Sequence, residues 1–173
     1  MFTVGHGLLG RKPVQAPALH YADAWTSYGP IAAGEHGIHY FTARVRADVG
    51  AKYMPESRAE KRERSRRHFT VDLSAGDAAP HSSRSLLPEQ EDGLAACEVR
   101  AAPGKPLDLP ALRGSGRLVA VLHGSVVTAD GEWTQWSWGR EVGSTLDCRA
   151  GANGAAVLSR DYPLINYLAT LSN

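Results

Sequence analysis

The chain is poor in the residues that carry most specialised chemistries. Of its 173 residues only two are cysteine, Cys97 and Cys148. They form no Cys-x-x-Cys spacing, which excludes a zinc ribbon and a disulfide-dense scaffold. What remains is one disulfide at most, or two small buried thiols in a reducing compartment. Long apolar runs are missing too, and no stretch approaches the roughly 18 apolar residues that a spanning helix needs. The first residues, Met-Phe-Thr-Val-Gly-His-Gly-Leu-Leu-Gly-Arg-Lys, hold no apolar core of signal-peptide type, and their charges follow the apolar residues. The formal net charge is only +1, so no global field draws in nucleic acid or an acidic membrane. Phosphate-loop, dinucleotide-fingerprint and Gly-x-Ser-x-Gly motifs are absent, and no catalytic residue can be assigned. The expectation is a soluble, cytoplasmic protein.

What the chain has in quantity is turn residues. Eighteen Gly and ten Pro punctuate a sequence that is 43% hydrophobic and long enough to bury a core. Short apolar runs between Gly, Pro and Asp-Gly signals are the pattern of a compact all-β barrel or sandwich. The first clear strand is 37–45, with Ile38, Tyr40, Thr42 and Arg44 on one face. Its other face, with His39, Phe41, Ala43 and Val45, is the expected core face and half-buries His39. Residues 68–73 alternate cleanly, with Phe69, Val71 and Leu73 together. A third strand covers 93–101, with Ala95, Cys97 and Val99 opposite Leu94, Ala96 and Glu98. The most apolar run is 118–128, followed by Asp130-Gly131, the strongest hairpin signal in the chain. A two-residue turn there pairs Thr128 with Trp133, Ser125 with Trp136 and His123 with Trp138. A further apolar stretch lies at 154–159.

Three segments depart from this pattern. Residues 1–35, rich in Gly, Pro and Ala, read as an N-terminal arm, with the barrel domain over 36–173. From Glu56 to His68 the texture turns to charge, and the basic stretch 58–67 holds Arg58, Lys61, Arg62, Arg64, Arg66 and Arg67. Interspersed Glu60 and Glu63 favour a solvated excursion over a nucleic-acid patch, and no aromatics interleave with the arginines. At the end, Pro163 followed by Ile165, Leu168 and Leu171 predicts a short amphipathic C-terminal helix.

Residues 99–158 resemble the RmlC-like cupin superfamily, whose members are double-stranded β-helix barrels. The matching pieces are Ala-Pro-Gly at 102–104, Pro110, Val-Leu-His-Gly-Ser-Val at 121–126, Asp-Gly at 130–131 and the Gly-punctuated strands beyond. A fainter echo runs from Val49 to Arg58, parallel to 103–113. The resemblance therefore implies either pseudo-repeats over 37–92 and 93–160, or one barrel with an N-terminal extension. Catalytic cupins carry a His-x-His pair, a following Glu and a later His that together hold a divalent metal. Here Glu56-Ser57-Arg58 and Ala111-Leu112-Arg113 stand where the pair belongs, and no histidine follows His123. By the family's own motif there is no metal and no cofactor.

Two constellations could carry function instead. His123, Ser125, Trp136 and Trp138, with Thr134, share one face in the expected register, an indole-lined pocket for a small molecule. The same tryptophans could equally serve a core or a homodimer interface. Alternatively His36, His39, His68 and His81 converge on Fe, Mn, Ni or Zn, giving a metal-dependent dioxygenase or isomerase. A third reading is a regulatory module that meets a protein or nucleic acid through 58–67. The leading expectation is a cupin-like small-molecule-binding or structural protein, homodimeric and without a membrane partner.

Overall fold

In the computed structural model, residues 1–24, 26–45, 52–60, 67–73, 81–143 and 146–164 are described. Among them are eleven β-strands and one single-turn 3-10 helix, Arg58–Glu60. The all-β expectation is met, as curled antiparallel sheets. Among the described residues no helix is long and apolar enough to cross a membrane. The chain divides into two units, Met1–Ser74 and Ala75–Asn173, each with its own sheet.

The first unit contains β1 (Phe2–Leu9), β2 (Lys12–Gln15), β3 (Ala18–Ala22), β4 (Ile31–Tyr40) and β5 (His68–Asp72). Their order is β2-β1-β3-β5, with β4 also paired to β1. The expected boundary at 35/36 falls inside β4, so residues 1–35 are not a separate arm but supply most of this sheet. The glycines that suggested an arm serve close approach instead. A Cβ on Gly5 would stand 2.2 Å from the Gly37 carbonyl oxygen, and one on Gly7 equally close to that of Ala32. Small residues thus let β1 and β4 meet across two irregularities of register. Phe2, Val14 and Ala18 form the small core, with Leu9, Ile31 and Ile38 packed against it.

That packing corrects the face assigned to the first strand. Ile38 turns to the core, while His39, opposite Val4, is exposed. The reason is the bulge: four residues of β4, including Gly37 at φ 81°, face the single residue His6 of β1. Counting by twos fails across it. In β5, by contrast, Phe69 and Val71 are half-buried and Leu73 just beyond is buried, as the alternation predicts. Arg67, read as part of a basic run, closes the sheet instead. Its guanidinium donates to Asp23 from Nε at 2.9 Å and Nη2 at 3.0 Å. The buried Asp23 carboxylate also accepts from the Tyr21 hydroxyl at 2.6 Å. Lys61, Arg62, Arg64 and Arg66 lie outside the described residues.

The second unit contains β6 (Ser82–Leu87), β7 (Ala95–Ala101), β8 (Arg117–Thr128), β9 (Gly131–Thr134), β10 (Trp138–Glu141) and β11 (Arg149–Asp161). The order is β10-β8-β11-β7-β6, with β9 also paired to β8. Val99, Ala101, Val119, Val121, Val126, Ala155 and Val157 form the core with Leu107, Ala150 and Cys148. The two cysteines are free thiols, Cys148 buried and Cys97 half-buried, so no disulfide joins them. The expected division at 92/93 falls in the turn between β6 and β7, inside this sheet.

The hairpin forms, in a shifted register. Thr128 pairs with Gly131, Val126 with Trp133 and Ser125 with Thr134. The turn residues are therefore Ala129 and Asp130, and Gly131 opens β9 at φ 127°. Trp133 consequently lies on the core face, packed against the cluster. Trp138 pairs with Ala120, not with His123. A second irregularity between Ala156 and Val157 leaves Leu122 as an extra residue of β8.

The C-terminal helix expected from Pro163 onward is absent among the described residues. Asp161 ends β11, residues 162–164 have no regular structure, and the segment 165–173 lies outside the described residues.

Candidate functional site

The second sheet is apolar on its core face except at one end. There the ladder runs Ala95–Asp161–Arg117–Glu141 across β7, β11, β8 and β10. Arg117 thus has a carboxylate as direct cross-strand partner on each side. The next row on the same face is Ser85–Cys97–Ser159–Val119–Gly139. Local sequence explains the placement. Gly116-Arg117 opens the apolar run of β8, and Arg160-Asp161 ends that of β11, so both charged positions sit where regular apolar alternation stops.

Arg117 is 1% exposed and Asp161 4%. Its Nε donates to Asp161 Oδ1 at 2.6 Å and its Nη2 to Oδ2 at 3.3 Å. The Arg113 backbone N–H donates to the same Oδ2 at 2.9 Å. Glu141 Oε2 lies 3.7 Å from Arg117 Nη1, and it has no hydrogen-bond partner among the described residues. A charge buried this deeply persists only when it is paired, and Asp161 supplies that pairing while also fixing the loop at Arg113.

Against this end of the sheet opens a cleft of about 230 Å³. Its floor is Ala95, Ala96, Cys97, Arg117, Ser159 and Asp161, and its rim is Glu89, Pro110, Ala111 and Arg113. On the rim, Arg113 Nε and Glu89 Oε2 stand 3.6 Å apart with both side chains more than half exposed. Burial pushes the Cys97 thiol up from its ordinary value, against the opposing pull of Ser159, Arg117 and Ser83. The group is therefore a thiol, not a thiolate, and offers a weak donor rather than a nucleophile. Among the residues that line it, the cleft presents no nucleophile–base pair.

The side chains expected to form a pocket are placed differently. His123 and Ser125 follow the bulge of β8 and, with Trp138, turn away from the core. His123 is exposed and Trp138 is 52% exposed. Ser125 Oγ donates to Glu132 Oε1 at 2.6 Å. Trp136 occupies the tight turn after β9 at φ 69°, its backbone N–H bonded to the Val121 carbonyl. None of the four lines the cleft. His36 and His39 lie exposed on β4, His68 begins β5, and His81 precedes β6 in the other unit. Among the described residues no three His, Cys, Asp or Glu side chains are grouped to hold a metal ion.

Sequence reasoning missed Arg117, Asp161 and Ser159. The available signal was a charged residue at the end of each of the two most apolar runs, where charge has to be matched across the sheet. No protein-family model matches the chain, and no curated protein matches it.

Proposed function

We propose that the protein is a cupin-like small-molecule-binding β-barrel that works without the family's metal site and takes its ligand in the cleft beside Cys97 and Arg117. One observation carries the reading. Three neighbouring strands deliver Cys97, Ser159, Arg117 and Asp161 to one open cavity, whereas the rest of that face is closed by aliphatic packing. The volume of about 230 Å³ lies just below the usual 300–1,000 Å³ of ligand pockets, so the ligand is small.

Charge narrows its chemistry. Arg117 and Asp161 satisfy each other, which leaves Glu89 and Arg113 as the groups open to a ligand. An exposed pair of this kind is worth little to the fold and is readily opened. One carboxylate and one guanidinium on the same rim suit a small zwitterion, an amino-acid-like molecule with ammonium and carboxylate groups. The Cys97 and Ser159 side chains and the alanine methyls would receive its short side chain.

The test is a thermal-shift panel of free amino acids, small hydroxy acids and neutral polyols on the full chain. The expected result is a rise in Tm for small zwitterions that disappears in Ala111→Trp, which fills the rim, and persists in His123→Ala. No rise with any class, or a rise that survives Ala111→Trp, would remove the cleft as the ligand site.

A further inference from the structure

We infer that the first unit carries a two-imidazole site for a borderline divalent transition ion, formed by His20 on β3 and His68 on β5. The strand register makes the pair. His20 lies opposite Thr70 and Ala22 opposite His68, so His20 and His68 are diagonal neighbours on one face of adjacent strands. Their ring centroids are 6.2 Å apart. A metal-bound imidazole places its ring centre roughly 3.2 Å from the ion, given a metal–nitrogen bond of about 2.0–2.1 Å. Two such arms span about 6.4 Å when collinear and about 5.2 Å at a tetrahedral angle, so the rings stand within about 1 Å of the separation that one shared tetrahedral ion needs. The His68 side chain is exposed, and a turn inward gives the more bent geometry.

The two ring nitrogens of His20 have different surroundings. His20 Nδ1 is bonded to Thr70 Oγ1 at 3.0 Å. That contact orients the ring in the way the outer hydrogen bond of a metal-bound histidine does. His20 Nε2 is buried and has no hydrogen-bond partner among the described residues. A buried imidazole nitrogen without a partner is costly unless something fills its lone pair, and an ion shared with His68 would do so. Tyr28, with its ring centroid 5.0 Å from that of His20, packs against the ligand from a third segment. Imidazole donors without thiolates or carboxylates suit Zn²⁺, Ni²⁺ and Cu²⁺ over Mg²⁺ or Ca²⁺. The remaining positions go to water.

Zn²⁺ is the probe of choice, because it can be titrated into the untagged full chain against a chromophoric chelator. The expected stoichiometry is about one ion per chain, with binding lost in His68→Ala and weakened about tenfold in Thr70→Val, which removes only the orienting hydroxyl. A double His36→Ala, His39→Ala variant binds as the parent does. Nitrogen-15 spectra of the ring nitrogens provide a readout that does not depend on a variant folding, and Zn²⁺ should move His20 Nε2 and one ring nitrogen of His68 and leave the other imidazoles in place. Absence of binding, binding that survives His68→Ala, or ring shifts confined to other histidines would overturn the inference.

Discussion

At the scale of single residues, the second unit turns on Arg117. A guanidinium 1% exposed is held between Asp161 and Glu141, and the two carboxylates are not equivalent. Asp161 makes charge-assisted bonds from 2.6 Å and also accepts the Arg113 backbone N–H. Glu141 stands off at 3.7 Å. Asp161→Ala should therefore cost about 3–5 kcal/mol, the penalty for leaving a buried charge without its partner. Glu141→Gln should cost only about 1 kcal/mol. Urea denaturation of the two variants measures the difference, and equal losses would mean that the two carboxylates share the charge evenly.

His20 makes a prediction about pH at the same scale. Its folded-state pKa of about 4 lies below the ordinary 6.5, so the folded state resists a proton that the unfolded chain accepts. The neutral ring's contribution is fully present above pH 6.5 and is lost as pH falls towards 4. In metal-free buffer, His20→Gln should flatten the dependence of stability on pH across that window. An unchanged acid limb would show that His20 is as protonatable in the folded protein as in the unfolded one.

At the scale of elements, what decides register is where glycine sits. A Cβ on Gly139 of β10 would meet the Trp133 indole at 2.3 Å, so this glycine makes the space that Trp133 fills on the core face. Gly139→Ala should push the indole outward, red-shift tryptophan emission and cost about 1–3 kcal/mol through overpacking. Unshifted emission would mean that the ring is accommodated elsewhere. Strands with unbroken alternation were legible from sequence: β5 and β7 appear with the faces their spacing implies, and the apolar run of 118–128 appears as β8. The misread elements share a physical cause. In β4 and in the second half of β8, bulges add residues that the partner strand does not match, and sequence periodicity carries no count of them. Hairpin chemistry located the Asp130-Gly131 corner but not which two residues turn. The expected pairings of Ser125 with Trp136 and His123 with Trp138 moved with it.

At the scale of the whole molecule, each of the two units has its own hydrogen-bonded sheet among the described residues. A chain comprising residues 75–173 should retain a β-type far-ultraviolet spectrum and a single cooperative unfolding transition. Loss of both would show that the second sheet needs residues 1–74 to form. Composition and turn content disclosed the all-β class, but not the division at 74/75. The Gly-rich start imitated an arm because close-packed strands and loops draw on the same small residues. The candidate site was the least legible part. Its members come from three strands distant in sequence, and only the register of β7, β11 and β8 brings Cys97, Ser159, Asp161 and Arg117 into one cleft.

That cleft is the centre of the account, and one measurement reaches it directly. The backbone amide spectrum of the full chain can be followed while a small zwitterion that raises Tm is titrated in. Shifts centred on Ala96, Cys97, Ala111, Arg117 and Ser159 are predicted. Shifts centred instead on His123, Ser125, Trp136 and Trp138 would contradict the account and place the ligand on the opposite face of the sheet.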